Sequence, residues 1–282
     1  MLVNFNSFNK SAEIKALAFD LDGTLLAPGS VLTDRTLRAV RVCAEKGLRL
    51  ILCTGRAVVS AEKFRVPMGA DGPMVYFNGA IIAEMPGEKI LHTTLLSKEI
   101  ALACLDISIE KKVYYQVYIP GAKGQPLLAN EHSIHGDNYC RATKINADIC
   151  DLGNVLADPE IPGCIKGMYI AEPEVLDDLR PVIERRFGNS VYAVRSTNTF
   201  LEILNPGVSK GLGLELALKH LGIRPAEAVV FGDEENDLPM FSGAGFSVAP
   251  ANAKEKVKAA ADFVTLSNSE DGVAVFLEEY FC

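Results

Sequence analysis

The sequence contains no run of lysine and arginine, and its 28 Lys and Arg against 36 Asp and Glu leave a net charge of −8. That balance gives no electrostatic footprint for nucleic acid, so an anionic ligand has to be met locally. No apolar run approaches the roughly 20 residues needed to span a bilayer. The opening "MLVNFNSFNKSAEIK" lacks the apolar stretch of a signal peptide, so a cytoplasmic chain with no membrane partner is expected. The seven cysteines are odd in number and contain no C-x-x-C pair, which fits reduced thiols better than a disulfide framework or a zinc site. Cys53 reads as a buried apolar filler rather than a reactive thiol. Repeats and low-complexity tracts are also missing.

What is present is ordinary globular material. At 282 residues, with 49% hydrophobic and 23% charged, the chain is long enough for two packed units. "IKALAFD" is a short apolar run of the kind that forms a strand buried on both faces. "TDRTLRAVRVCAEKG" has helical spacing, with Thr33 or Asp34 as N-cap, an apolar stripe of Leu37, Val40, Val42 and Ala44, and Gly47 at the end. "LRLILCTGR" and "PMVYFNGAIIAE" read as two further strands, the latter closing on Asn78 and Gly79. "SKGLGLELALKHLG" is a helix, "EAVVFGDEENDLPMF" a strand entering an acidic turn, and "GFSVAP" and "DFVTL" short strands. Alternating strands and helices predict an α/β fold, a Rossmann-like parallel sheet with helices on both faces. Between about Glu84 and Thr197 the texture changes to paired β-like runs ("KILHTTLL", "VYYQVYIP", "CIKGMYIA", "SVYAVRS") with helical stretches between some of them. An inserted α+β domain at 84–197 is therefore expected, flanked by a core of 1–83 and 198–282.

In open α/β sheets ligands bind outside the carboxyl ends of the strands. Four predicted strand ends carry polar clusters: Asp20 and Asp22; Thr54, Gly55 and Arg56; Asn78 and Gly79; and Asp233 to Asp237. If those strands are neighbours, Asp20, Asp22, Asp233 and Asp237 converge, and so much negative charge requires raised pKa values or a cation. Oxygen-only ligands point to a hard cation, Mg²⁺ above all. Taken singly, "DLDGT" reads equally well as an Asx-turn after a strand, and "GDEENDLPMF" as a solvated turn. Their joint occurrence at two distant strand ends favours a site. "NPGVSKGLG" lacks P-loop spacing, and "GLGLEL" has Leu216 where a dinucleotide fingerprint needs glycine.

"DLDGT" (20–24), "TGR" (54–56), "GVSKG" (207–211) and "GDEENDLPMF" (232–241), in that order, resemble the four motifs of the haloacid dehalogenase-like hydrolases. With "FNGA" (77–80), "FLEILNPGVSKG" (200–211) and the insertion, the whole chain is similar to the Cof-like phosphatases with a large α/β cap. The resemblance implies Asp20 as the nucleophile that takes the phosphoryl group, a task that suits a carboxylate ionised at neutral pH. It implies Asp22 as general acid and then general base, Thr54 as a hydrogen-bond donor to the phosphoryl oxygens, and Lys210 as the ammonium that offsets charge. Mg²⁺ would be held by Asp20, the Asp22 carbonyl and Asp233, with Asp237 binding directly or through water. Gly55, Arg56, Asn78, Gly79 and Asn236 are the substrate-binding candidates; Arg56 reads equally as a structural ion-pair member and Asn236 as a helix N-cap. Glu234 and Glu235 are expected to be solvated. The expected substrate is a small phosphorylated metabolite whose leaving group the cap selects while closing over the site. The expected state is a monomer. The rivals are a phosphomutase or narrow-specificity sugar-phosphate phosphatase on the same fold, and a non-enzymatic regulatory relative.

Overall fold

The computed structural model describes residues 13–121 and 124–282, so most of the opening segment weighed as a signal peptide lies outside the described residues. The described residues of 1–54, 63–91 and 209–282 form one compact unit, and those of 55–62 and 92–208 another.

In chain order the first part of the chain forms β1 (Ala16–Phe19), α1 (Asp34–Glu45), β2 (Arg49–Leu52), α2 (Val58–Met68), β3 (Gly72–Tyr76), β4 (Ile81–Met85) and β5 (Lys89–Thr93). The middle forms α3 (Lys98–Lys111), β6 (Tyr114–Tyr118), β7 (Leu127–Ala129), α4 (Ile134–Thr143), β8 (Ala147–Ile149), α5 (Leu152–Ala157), β9 (Lys166–Ile170), α6 (Pro173–Phe187), β10 (Tyr192–Thr197) and β11 (Phe200–Leu204). The last part forms α7 (Lys210–Leu221), β12 (Ala228–Phe231), α8 (Leu238–Phe241), β13 (Phe246–Pro250), α9 (Glu255–Ala260), β14 (Phe263–Thr265) and α10 (Gly272–Tyr280).

The first unit is built on a parallel sheet in the order β14-β13-β12-β1-β2. The expected strands are there, and β1, which Asp20 follows, lies inside the sheet between β12 and β2. All four β1 residues are fully buried, because alternate side chains feed opposite faces of a sheet covered on both sides. Ala16 and Ala18 join Val230, Leu214 and Leu218 beneath α7. On the other face Phe19 stacks on Phe231 at 5.0 Å between ring centroids, and Phe231 meets Phe276 of α10 edge to face at 5.5 Å. Leu17 pairs with Val229 on one side and Leu50 on the other, so β1, β2 and β12 end level with one another.

Three local expectations are corrected. Thr33 does cap α1, accepting from the Thr36 amide, but the buried stripe is Thr36, Ala39, Val40 and Cys43 rather than Leu37, Val40, Val42 and Ala44. "PMVYFNGAIIAE" is not one strand but the antiparallel pair β3 and β4, joined by a 3-10 turn at Phe77–Gly79; β3 touches β2 through a parallel bridge between Cys53 and Val75. The segment "KILHTTLL", read as part of the insertion, supplies β5 to the sheet β3-β4-β5.

The second unit carries a six-stranded sheet in the order β10-β11-β9-β6-β7-β8, antiparallel except for the β7–β8 pair. β11, placed by sequence in the core, pairs here with β9 and β10. One face of the sheet presents Tyr115, Val117, Tyr169, Leu201 and Ile203 to helix residues Cys104, Leu105, Leu176, Leu179 and Ile183. The register places Gln116, Tyr118, Lys166, Met168 and Glu202 on the opposite face. Among the described residues no helix is long and apolar enough to cross a membrane.

The turn after β3 is tied to the start of α7. Gly79 has φ +101°, and a Cβ there would overlap the backbone carbonyl of Ser209, whereas Gly47, at φ +89°, has nothing within 4 Å of its own Cβ position. Gly79→Ala is expected to cost about 3 kcal/mol, and Gly47→Ala only the backbone penalty of about 1 kcal/mol. Urea unfolding midpoints of the two variants check this, and equal costs would contradict it.

Candidate active site

The strand ends bring together three of the four predicted acidic residues, Asp20, Asp233 and Asp237; Asp22 is exposed and not part of this buried group. Asp20 follows β1 and is 5% exposed; its amide donates to the Phe231 carbonyl, which locks it beside the end of β12. Asp233 lies two residues beyond β12, and Asp237 closes the following 3-10 turn. Carboxylate oxygens of Asp20, Asp233 and Asp237 lie within 4.8 Å of one another, and all three residues are buried.

Lys210, the first residue of α7, enters the middle of this group. Its Nζ donates to Asp20 Oδ1 at 2.5 Å and to Asp237 Oδ1 at 2.7 Å, while only 2% of the side chain is exposed. The other oxygen of Asp237 accepts from the amides of Asp233 and Glu234, both at 2.9 Å. Asp237 is therefore a clamp that shapes its own turn and orients the lysine. Asp233 Oδ1 accepts from the Thr24 hydroxyl at 2.6 Å. Gly23 allows this approach, since a Cβ there would overlap the Asp233 carboxylate.

The remaining candidates separate by environment. Thr54 is 1% exposed, its amide bonded to the Val75 carbonyl and its carbonyl to the Asn78 amide. Asn78 sits at φ 58°, in the left-handed region that asparagine tolerates, and its Oδ1 accepts from Asn236 Nδ2 at 2.9 Å. Both asparagines are buried, and Oδ1 of Asn236 has no hydrogen-bond partner among the described residues. Asp22, by contrast, is exposed, with Ser30 Oγ 3.3 Å from its Oδ1. Gly55 and Arg56 are partly exposed and fall in the second unit. Glu234 is paired with Lys254 at 2.8 Å rather than simply solvated. Cys53 is fully buried, and burial raises its thiol pKa, so the filler reading holds.

One participant escaped the sequence reading. Thr24 lies inside the quoted "DLDGT", but only the structure shows its hydroxyl bracing Asp233.

Electrostatics follow from the count: three buried carboxylates less one ammonium leave two negative charges. Burial lowers the Lys210 pKa, but Asp20 and Asp237 outweigh it, and the ammonium titrates above its ordinary value. Burial pushes Asp20 well above the usual carboxylate range; Lys210 opposes this, and Asp237, Asp233 and Asp22 add to it. Asp233 is pushed up to about 7 by burial and then by Asp237, against the Thr24 hydrogen bond and Lys210. The deficit of two charges and the all-oxygen donor set fit a divalent hard cation.

A carboxyl that keeps its proton in the folded state but loses it near pH 4 when unfolded stabilises the fold less as pH rises between those values. In EDTA the protein should therefore lose stability from about pH 4 to about pH 7, by at most about 4 kcal/mol for Asp233. Thermal unfolding across this range checks it. The expected outcome is a falling Tm that Asp233→Asn flattens; identical slopes in the two proteins would contradict it.

The profile described as haloacid dehalogenase-like hydrolase matches residues 17–277. A Bacillus subtilis protein named putative phosphatase YxeH is 30% identical over 94% of this chain and 97% of its own length. An Arabidopsis thaliana protein named endoribonuclease YBEY, chloroplastic, is 28% identical over 93% of this chain, but the chain spans only 45% of that protein. The crystal structure of a putative HAD/COF-like hydrolase from Plasmodium vivax superposes with a TM-score of 0.85 at 25% identity, covering 96% of this chain and 97% of that one. With the parallel sheet, the second, mostly antiparallel sheet and the cluster of Asp20, Lys210, Asp233 and Asp237 described above, the chain belongs to the haloacid dehalogenase-like hydrolases, in their Cof-like phosphatase subgroup.

Proposed function

We propose that this chain is a Mg²⁺-dependent phosphatase that hydrolyses small phosphorylated metabolites through an aspartyl-phosphate on Asp20. The observation that carries the reading is Lys210 buried between Asp20 and Asp237. An ammonium held there by two fixed carboxylates orients the nucleophile and faces the negative charge of an arriving phosphoryl group. Asp20 and Asp233 would hold Mg²⁺ by their carboxylates and Asp22 by its backbone carbonyl. Asp237, whose oxygens already accept three hydrogen bonds, would contact it through water. Bound there, Mg²⁺ supplies the charge that lets an anionic carboxylate meet an anionic phosphate.

In the first step an Asp20 oxygen bonds to phosphorus while the ester P–O bond breaks, and Asp22 gives its proton to the departing alkoxide. In the second step water attacks phosphorus, Asp22 takes the water's proton, and the bond from phosphorus to Asp20 breaks to release phosphate. An exposed Asp22 suits this proton traffic, since the leaving group departs towards solvent. The Thr54 hydroxyl and the Lys210 ammonium bind the transferring oxygens, and the paired Asn78 and Asn236 amides shape the floor beside them. The inserted domain is assigned the selection of the leaving group. Seven free cysteines agree with a reducing, cytoplasmic setting.

With p-nitrophenyl phosphate and Mg²⁺ the protein should release phosphate. Asp20→Asn should lose at least about 10³-fold in kcat and Asp22→Asn about 10²- to 10⁴-fold, with EDTA abolishing turnover. Wild-type rates in Asp20→Asn across a panel of phosphate esters would overturn the reading.

A further inference from the structure

The second unit contains a buried ion pair that the proposed chemistry does not use. Lys166 of β9 and Glu202 of β11 pair at 2.9 Å with side-chain exposures of 2% and 3%. The Ser196 hydroxyl donates to the same carboxylate oxygen at 2.7 Å, and the Lys166 ammonium lies 5.8 Å from the Tyr118 ring centroid. Removing two charges from water costs more than an apolar pair of the same size would, so stability does not explain the choice of these residues. What an apolar pair could not do is donate a hydrogen bond onward. Lys166 Nζ also donates to the carbonyl oxygen of Gly55 at 3.1 Å.

Gly55 is the residue after Thr54. Backbone bonds from Thr54 to Val75 and Asn78 hold the turn on its amino side; the lysine holds the next carbonyl. Glu202, itself fixed by Ser196, orients the ammonium. Glycine alone leaves this peptide free to rotate, so its carbonyl needs an external anchor.

We propose that Lys166, oriented by Glu202, is a positioning residue that fixes the Gly55–Arg56 peptide and, through the Gly55 backbone next to it, the Thr54 hydroxyl. The inference rests on the phosphatase reading, in which Thr54 binds the transferring phosphoryl oxygens. Lys166 does not touch those oxygens in this role; it acts through the backbone.

The test uses full-length protein carrying Lys166→Met together with Glu202→Met, so that no charge is left buried alone and chain length is kept. With p-nitrophenyl phosphate and Mg²⁺, kcat should fall by about tenfold or more, and the inhibition constant of vanadate should rise by a similar factor. Neither change is expected from loss of packing alone in a protein whose Tm is retained. In a Thr54→Val background, where the hydroxyl to be positioned is gone, the same pair should cost no more than about twofold. The proposal is overturned if the folded methionine pair keeps wild-type kcat and vanadate affinity, or if its loss multiplies fully with that of Thr54→Val. If the methionine pair does not fold, Lys166→Gln with Glu202→Gln keeps a hydrogen-bonded amide pair too short to reach Gly55 and is judged by the same criteria. Asp20→Asn, assayed alongside, reports on the phosphatase reading alone: its inactivity beside an unaffected methionine pair overturns only the positioning role.

Discussion

Three carboxylates packed within 4.8 Å of one another and shielded from water repel each other strongly, and the site exists because Lys210 is driven into their midst. The lysine begins α7, where a cation is disfavoured by the helix dipole, but the same positive helix end favours Asp20 and Asp237 beside it. The arrangement is therefore held by anions at a helix N-terminus, with the ammonium bridging them. Even so, two negative charges remain unbalanced. Burial and mutual repulsion raise the pKa values of Asp20 and Asp233, and a cation held among the three carboxylates would offset that repulsion.

The surrounding fold serves this constraint. Parallel strands β1 and β12 end level, so the sheet brings Asp20 and Asp233 together although they lie far apart in sequence. Gly23 permits the close approach of Asp233, and Thr24 braces it. Gly79 lets the turn after β3 lie against Ser209, the cap of α7. The apolar faces of β1 bury Ala16 and Ala18 under α7 and Phe19 under the α10 aromatics, which makes the charged strand end rigid.

Much of this was readable in the sequence because the site residues lie at the ends of short, wholly apolar strands, and such runs have few alternatives. The acidic turn after β12 and the lysine opening α7 were legible from motif and order. What was not legible depends on pairing partners. "PMVYFNGAIIAE" folds back at Phe77–Gly79 because three consecutive positive-φ residues, Phe77, Asn78 and Gly79, reverse the chain, whereas apolar content alone reads as one strand. β5 and β11 were misassigned because a short strand's composition does not say which sheet it joins. The α1 stripe was shifted because Thr36 and Cys43 are buried while Leu37 and Val42 are only half-buried, a choice made by the neighbouring α10. Thr24 braces Asp233, a residue far away in sequence, and no local pattern announces that contact.

The central claim is that Asp20 itself bonds to phosphorus. Mixing the protein with a phosphate ester and Mg²⁺, quenching in acid during turnover and mapping peptides by mass spectrometry tests it directly. The account predicts the added mass of one phosphoryl group on the peptide containing Asp20, removed by hydroxylamine. Turnover with an unmodified Asp20 peptide and the label on another residue would contradict it.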